Sequence, residues 1–221
     1  MRLGRIKPAR KTGREPFLIT GHPAVTVGDF WEWSTSDMVG NTERGALAEY
    51  IVGLAIGDES IEHGVRQDWA AYDLSADDIK VEVKSAAYIQ SWPQPDYSVI
   101  SFNYRKTRKW DAETNHQDDL PTRAATVYVF ALLAHKDQAT LNPLDVSQWQ
   151  FYVVPTVVLD GRKRSQYSIT LPSLEKFCAP CAFDDLKQRL VQAHGFVPPD
   201  GMLDKLDKLG CDWSEWASAI K

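Results

Sequence analysis

From Ile79 to Lys84 apolar and charged positions alternate one for one, with Ile79, Val81 and Val83 on one side and Lys80, Glu82 and Lys84 on the other. A period of two marks a half-buried strand. Upstream, Trp69 to Leu74 is aromatic and apolar, and Ser75-Ala76-Asp77-Asp78 carries turn chemistry. A hairpin closed by that four-residue loop sets Leu74 opposite Ile79 and Asp73 opposite Lys80. Glu82 is then a diagonal neighbour on the face of Asp73, about 7 Å away between backbones. A slip of one residue in register would send the two acids to opposite faces.

A different period runs from Asn41 to Gly57. Leu47, Ile51, Leu54 and Ala55 recur at helical spacing, with Asn41 as the expected N-cap and Gly57 as the stop. Gly45 and Glu49 lie one turn apart on one face, and a glycine there costs roughly 1 kcal/mol of helix stability relative to alanine. Close approach to a strand or to a nucleic-acid backbone is the reason this pattern offers for it. Read alone, Glu49 is a surface carboxylate on an amphipathic helix. Further along, Tyr97 to Tyr104 predicts a strand, and Ala124 to Ala134 and Trp149 to Leu159 predict long central strands. Asp111 to Arg123 reads as a loop. Leu171 to Phe177 and Asp184 to His194 read as helices, the second with Leu186, Leu190 and Val191 on one face. Pro198-Pro199-Asp200-Gly201 breaks the chain before short helices over 202–209 and 213–220.

The polar positions in these elements carry the candidate chemistry. Asp73, then Glu82 and Lys84 two residues apart on a strand, suits a metal-dependent phosphodiesterase: two carboxylates hold a hard divalent cation, and a lysine adds positive charge beside the attacked phosphate. Short Lys-Val-Glu-Val-Lys alternations also occur on merely solvated strands, so the weight rests on the whole set.

Gly45-x-x-x-Glu49 on a helix, then Asp73, then Glu82-x-Lys84, resembles the core of the PD-(D/E)XK nuclease superfamily, the fold of many type II restriction endonucleases, archaeal Holliday-junction resolvases and phage-type exonucleases. The resemblance covers 41–104, under a third of the chain. Tyr72 stands where such proteins often have proline. What the resemblance implies is an α/β domain with a restriction endonuclease-like mixed central sheet flanked by helices. It further implies Mg²⁺, or Mn²⁺ in its place, held by Asp73, Glu82 and Glu49, with Lys84 orienting or deprotonating the attacking water. Lysine's ordinary pKa of about 10.4 makes a positioning and electrostatic role the first expectation for Lys84. Gln90, just after the motif, is expected to line the catalytic site, and Ser85 to touch the nucleic-acid backbone. The expected activity is DNA hydrolysis leaving 5′ phosphate and 3′ hydroxyl, most of all as a restriction-type endonuclease in genome defence. A catalytically inactive module of the same fold, binding nucleic acid or a protein, is the alternative.

Charge refines the picture. The 221 residues carry a net charge of −5, awkward for a DNA partner, but the cations are clustered. Arg2, Arg5, Lys7, Arg10, Lys11 and Arg14 precede the first acid, and Arg105, Lys106, Arg108 and Lys109 stand between Tyr104 and Trp110. Arg162-Lys163-Arg164 is a third group. The second cluster, with Arg44 on the first helix, is the expected nucleic-acid contact, its rings able to stack on opened bases. Residues 1–15 form the expected basic arm, 16–198 the nuclease domain, and 199–221 a helical tail packed on it.

No apolar run is long enough for a membrane span, no signal-peptide pattern is evident, and three cysteines are too few for a disulfide scaffold. A cytoplasmic enzyme with no membrane partner is expected, and a homodimer if it cuts both strands of a symmetric site. Cys178-Ala-Pro-Cys181 with His194 and Cys211 offers four zinc ligands on paper, but the cysteines read better as small apolar residues at a helix junction.

Overall fold

A computed structural model describes residues 4–21, 23–163, 165–203 and 213. Its elements, in order, are α1 (Val27–Thr35), α2 (Asn41–Ile56), α3 (Glu59–His63), β1 (Leu74–Ala76), β2 (Ile79–Ala87), β3 (Ser101–Asn103), β4 (Trp110–Asp111), β5 (His116–Gln117), β6 (Val127–Leu133), β7 (Trp149–Pro155), α4 (Thr156–Gly161), β8 (Ser168–Thr170), α5 (Leu171–Leu174) and α6 (Phe183–His194). A single 3-10 turn, Val146–Gln148, leads into β7. The architecture is mixed α/β, with helices flanking a central sheet of mixed orientation.

That sheet has the order β1-β2-β6-β7: β1 and β2 are antiparallel, β2 and β6 parallel, β6 and β7 antiparallel. β6 is an unbroken apolar run because both its faces are covered, and every one of its residues is buried. One face lies under α2 and α6, which pack side by side. A side chain on Gly53 would meet Leu74, and one on Gly45 would reach towards Ser85, so α2 covers the Val81, Val83 and Ser85 side of β2. The other face is covered through Phe102 and Tyr104, whose rings pack on Phe130 and Tyr128. Tyr128 and Phe130 are the parallel partners of Glu82 and Lys84. The polar edge of the alternation in β2 therefore borders an aromatic layer.

Several sequence expectations are corrected. The hairpin closes with a two-residue turn, Asp77-Asp78, so Leu74 pairs with Val81 and not with Ile79. Asp77 takes the left-handed conformation, φ 51°, that such a tight turn demands and aspartate tolerates. α2 is capped by Gly40, while the Asn41 side chain accepts from Arg44. Leu54 is exposed, and Val52 is buried in its stead. The predicted strand over 97–104 contracts to β3, paired with β8 outside the central sheet. β7 ends at Pro155, which lacks an amide hydrogen, and α4 begins there. The helix predicted over 171–177 is only the single turn α5, and in α6 Val191 is exposed while Ala193 is buried. The short hairpin β4–β5 overlaps the expected loop over 111–123, starting one residue before it. α1 was not foreseen, although Thr26 and Asp29 form a capping box. Of the expected tail helices, 204–212 and 214–221 lie outside the described residues. Trp213 is 1% exposed, and its indole N–H donates to Val153 O at 2.7 Å. No described helix is long and apolar enough to cross a membrane.

Candidate active site

Glu82 and Lys84 are two apart on β2, so their side chains leave the same face, and Lys84 Nζ lies 2.6 Å from Glu82 Oε1. Asp73, one residue before β1, brackets Glu82. Its N–H donates to Val81 O at 3.0 Å, and its Oδ2 accepts from Val83 N–H at 2.7 Å. The side chain takes the place of a main-chain carbonyl at the point where β1 runs out. This is a different register from the one expected, yet the two-residue shift keeps the acids together.

The electrostatics are those of crowded like charges. Burial, and then the negative charge of Glu82, push the Asp73 carboxyl up to about 7, while Lys84 and the Val83 amide pull the other way. Burial acts to lower Lys84, but Glu82 and Asp73 outweigh it and hold the ammonium above its ordinary pKa. Lys84 therefore stays charged at neutral pH. Its ammonium places a positive charge beside the two acids.

Glu49 projects from the middle of α2 and is close enough to act on both Asp73 and Lys84. Its carboxylate is gripped side-on by Arg66, with Nε to Oε2 at 2.6 Å and Nη2 to Oε1 at 2.7 Å. Arg66 also contacts Asp68, and these partners raise its pKa against the opposing effect of burial. Arg66 is a member of the site that sequence reasoning missed; its only signal is a lone cation in an acidic loop. Tyr128 was missed as well. It sits beside Glu82 in the parallel ladder, and burial followed by the charge of Glu82 raises its phenol pKa.

The donor chemistry, carboxylate oxygen throughout, suits Mg²⁺ or Mn²⁺, and a divalent cation would offset the burial and the Glu82 charge that raise the Asp73 carboxyl. As placed, no group of three or more His, Cys, Asp or Glu side chains among the described residues is assembled around one point. The reason is visible: Asp73 and Glu82 are together, while the oxygens of Glu49 are occupied by Arg66.

Gln90, Arg44 and Ser85 gather beside Lys84. Gln90 is bound into its own loop: its Nε2 donates to Ala87 O and Ser98 Oγ, and its Oε1 accepts from Arg44. It buttresses the end of β2. Arg44 is only 4% exposed, donating also to Val39 O and to Asn41, so its guanidinium ties the start of α2 to the Gln90 loop. Ser85 faces α2, on the side of β2 away from Glu82. Ser85, Arg44, Gln90 and Lys84 line a polar pocket of about 420 Å³. The larger pocket, about 990 Å³, is lined by Glu49, Asp73 and Arg66, with Trp69 and Trp110 among its walls.

The basic cluster follows β3 out of the aromatic layer beside Tyr128. Arg105 lies over the Tyr167 ring, Lys106 pairs with Asp160 at 3.1 Å, Arg108 is exposed and Lys109 half-buried. In the N-terminal arm, Arg5 is bound to Glu113 and Gln67, and Arg10 to the carbonyls of Ile61 and Gly64. Arg162 is buried and donates to Tyr104 Oη at 2.6 Å; Arg164 lies outside the described residues. The described members of the zinc set do not assemble. Cys178 donates to Val153 O, and His194 is engaged by Asp78 and Thr126. Cys211 lies outside the described residues.

In comparisons with known proteins, no family model, no curated protein and no solved structure matches this chain.

Proposed function

We propose that this protein is a divalent-metal-dependent DNA nuclease of the PD-(D/E)XK type, a restriction-type endonuclease in the first instance. The observation that carries the reading is the placement of Asp73 against Glu82 and Lys84. Two acids and a protonated lysine meet at the edge of a central strand, with Glu49 within electrostatic reach.

Asp73, Glu82 and, once released from Arg66, Glu49 would hold Mg²⁺, which supplies an activated water and neutralises charge on the phosphate. The chain's own residues do the rest. The Val83 amide fixes the Asp73 carboxylate so that it cannot turn away from the site. Glu82 holds the Lys84 ammonium at 2.6 Å, where its positive charge can stabilise the negative oxygens that develop as water attacks phosphorus and the 3′ oxygen leaves. Lys84 enters the reaction protonated and orients the water or phosphate by donating hydrogen bonds.

The test is cleavage of supercoiled plasmid and linear duplex with Mg²⁺ or Mn²⁺, beside Lys84→Ala and an EDTA control. Nicking or linearisation that needs metal and falls at least about 100-fold in the variant is expected. Cleavage untouched by Lys84→Ala would place the chemistry elsewhere. The second reading, an inactive module that binds nucleic acid, draws on the Glu49–Arg66 pair, which leaves only two acids free for a cation. It predicts DNA binding that is indifferent to Glu82→Gln and Lys84→Ala.

A further inference from the structure

Lys84 and Arg66 face the carboxylates of Glu49, Asp73 and Glu82, with Asp68 on the outer side of Arg66, so acidic groups outnumber cations in the cluster. Arg66 is bound differently from Lys84. It stands off the sheet, on the segment between α3 and β1, and its side chain is 49% exposed against 14% for Glu49. It lines the large pocket with Asp73 and Glu49. Its second partner, Asp68, is 71% exposed, and such a solvated pair holds little energy. Glu49 is thus the grip that fixes Arg66, and Arg66 is what keeps Glu49 from a cation.

We infer that Arg66 is a phosphate-binding residue of this site that exchanges partners: it neutralises Glu49 in the metal-free protein and turns to the substrate phosphodiester when a divalent cation takes Glu49. This extends the nuclease reading and rests on it. The charge balance favours the exchange. A divalent cation offsets that surplus of negative charge, so an anion is repelled before loading and no longer repelled after it. A guanidinium freed from a carboxylate keeps its planar fork of donors, and a phosphate offers the same two-oxygen geometry that Glu49 had offered. Arg66 needs to move only its side chain, on a half-exposed segment.

The exchange makes a prediction of opposite sign for two ligands, which mere structural support does not. In the full chain, Arg66→Gln removes the competitor for Glu49, so Ca²⁺ alone, followed by titration calorimetry, is expected to bind about tenfold more tightly. Binding of a labelled duplex in Ca²⁺, which supports binding without requiring turnover, is expected to weaken by about the same factor. In a Glu49→Gln background Arg66→Gln should leave Ca²⁺ affinity unchanged. The unmodified protein gives an independent reading: the Arg66 Nε–H resonance should shift on Ca²⁺ addition and shift again on adding the duplex. Loss of Ca²⁺ affinity in Arg66→Gln, or an Arg66 resonance indifferent to both ligands, overturns the exchange while leaving the nuclease intact. Failure of the wild-type protein to bind Ca²⁺, Mg²⁺ or Mn²⁺ overturns the nuclease reading itself, and the exchange with it.

Discussion

Asp73 holds a proton at a pH where an aspartate in water has lost it. Its carboxyl sits near 7 because burial and Glu82 both disfavour the charge. The unfolded chain titrates near 4, so between about pH 4 and pH 7 the folded state binds more protons than the unfolded one. Stability from this residue is therefore greatest at the acid end, falls as pH rises through that window, and levels off above it. Asp73→Asn keeps an oxygen for the Val83 amide and removes the titration. In EDTA the variant should be the more stable protein at neutral pH, with its lead fading towards pH 4. Thermal melts at a series of pH values check this, and parallel curves for the two proteins would show that Asp73 is an ordinary carboxylate. Mg²⁺ should narrow the gap by stabilising the wild type alone, since a cation at Asp73 and Glu82 makes the charged form the favoured one.

At the level of elements, the two glycines of α2 are not equivalent. A methyl group on Gly45 would lie 4.0 Å from Ser85 Oγ, its nearest neighbour, so close packing on the strand does not require glycine there. Gly53 is different: the same methyl would meet Ile61 Cδ1 at 2.5 Å and Leu74 Cδ2 at 3.2 Å. Gly45→Ala should raise stability by about 0.5–1 kcal/mol through helix propensity, and Gly53→Ala should lower it by about 1–2 kcal/mol because α3 and β1 must shift. Urea melts of the two variants decide it; the same sign for both would mean that packing under α2 is looser than these distances. The acidic core of the site was legible in the sequence because alternation in β2 and the helical period of α2 are local. The register was not, since Asp77 adopts a positive φ that no pattern announces, and the error was survivable only because a two-residue shift preserves the face. The partners of Arg66 and Gln90 were not legible for a related reason: they stand 17 and 46 positions away. Val191 and Leu54 show the limit of the helical period itself, which locates an apolar stripe but not which of its edges the neighbouring elements reach.

Over the whole molecule, a chain with net charge −5 can approach DNA only through a local surplus of cations, and the structure separates those that are committed from those that are not. Arg5 and Arg10 of the arm are tied to Glu113, Gln67 and the end of α3, and Arg44 is buried in the frame. Arg105 and Arg108 are exposed, on the segment that leaves the aromatic layer after Tyr104, whose ring packs on Tyr128. Phosphate contacts release counterions, so each one adds about 0.9 to the slope of log affinity against log salt. Arg105→Ala and Arg108→Ala should each weaken duplex binding at low salt and flatten that slope by about one, equally for unrelated sequences. Arg5→Ala and Arg10→Ala should leave it unchanged, because breaking an internal contact releases no ion from DNA. Fluorescence anisotropy from about 50 to 200 mM salt measures both. A flattened slope for the arm variants, with none for Arg105 and Arg108, would mean that the arm lets go of α3 and Glu113 when DNA arrives. The duplex would then extend from the pocket of Glu49 and Arg66 over the arm, which borders the same pocket, rather than along the segment after β3.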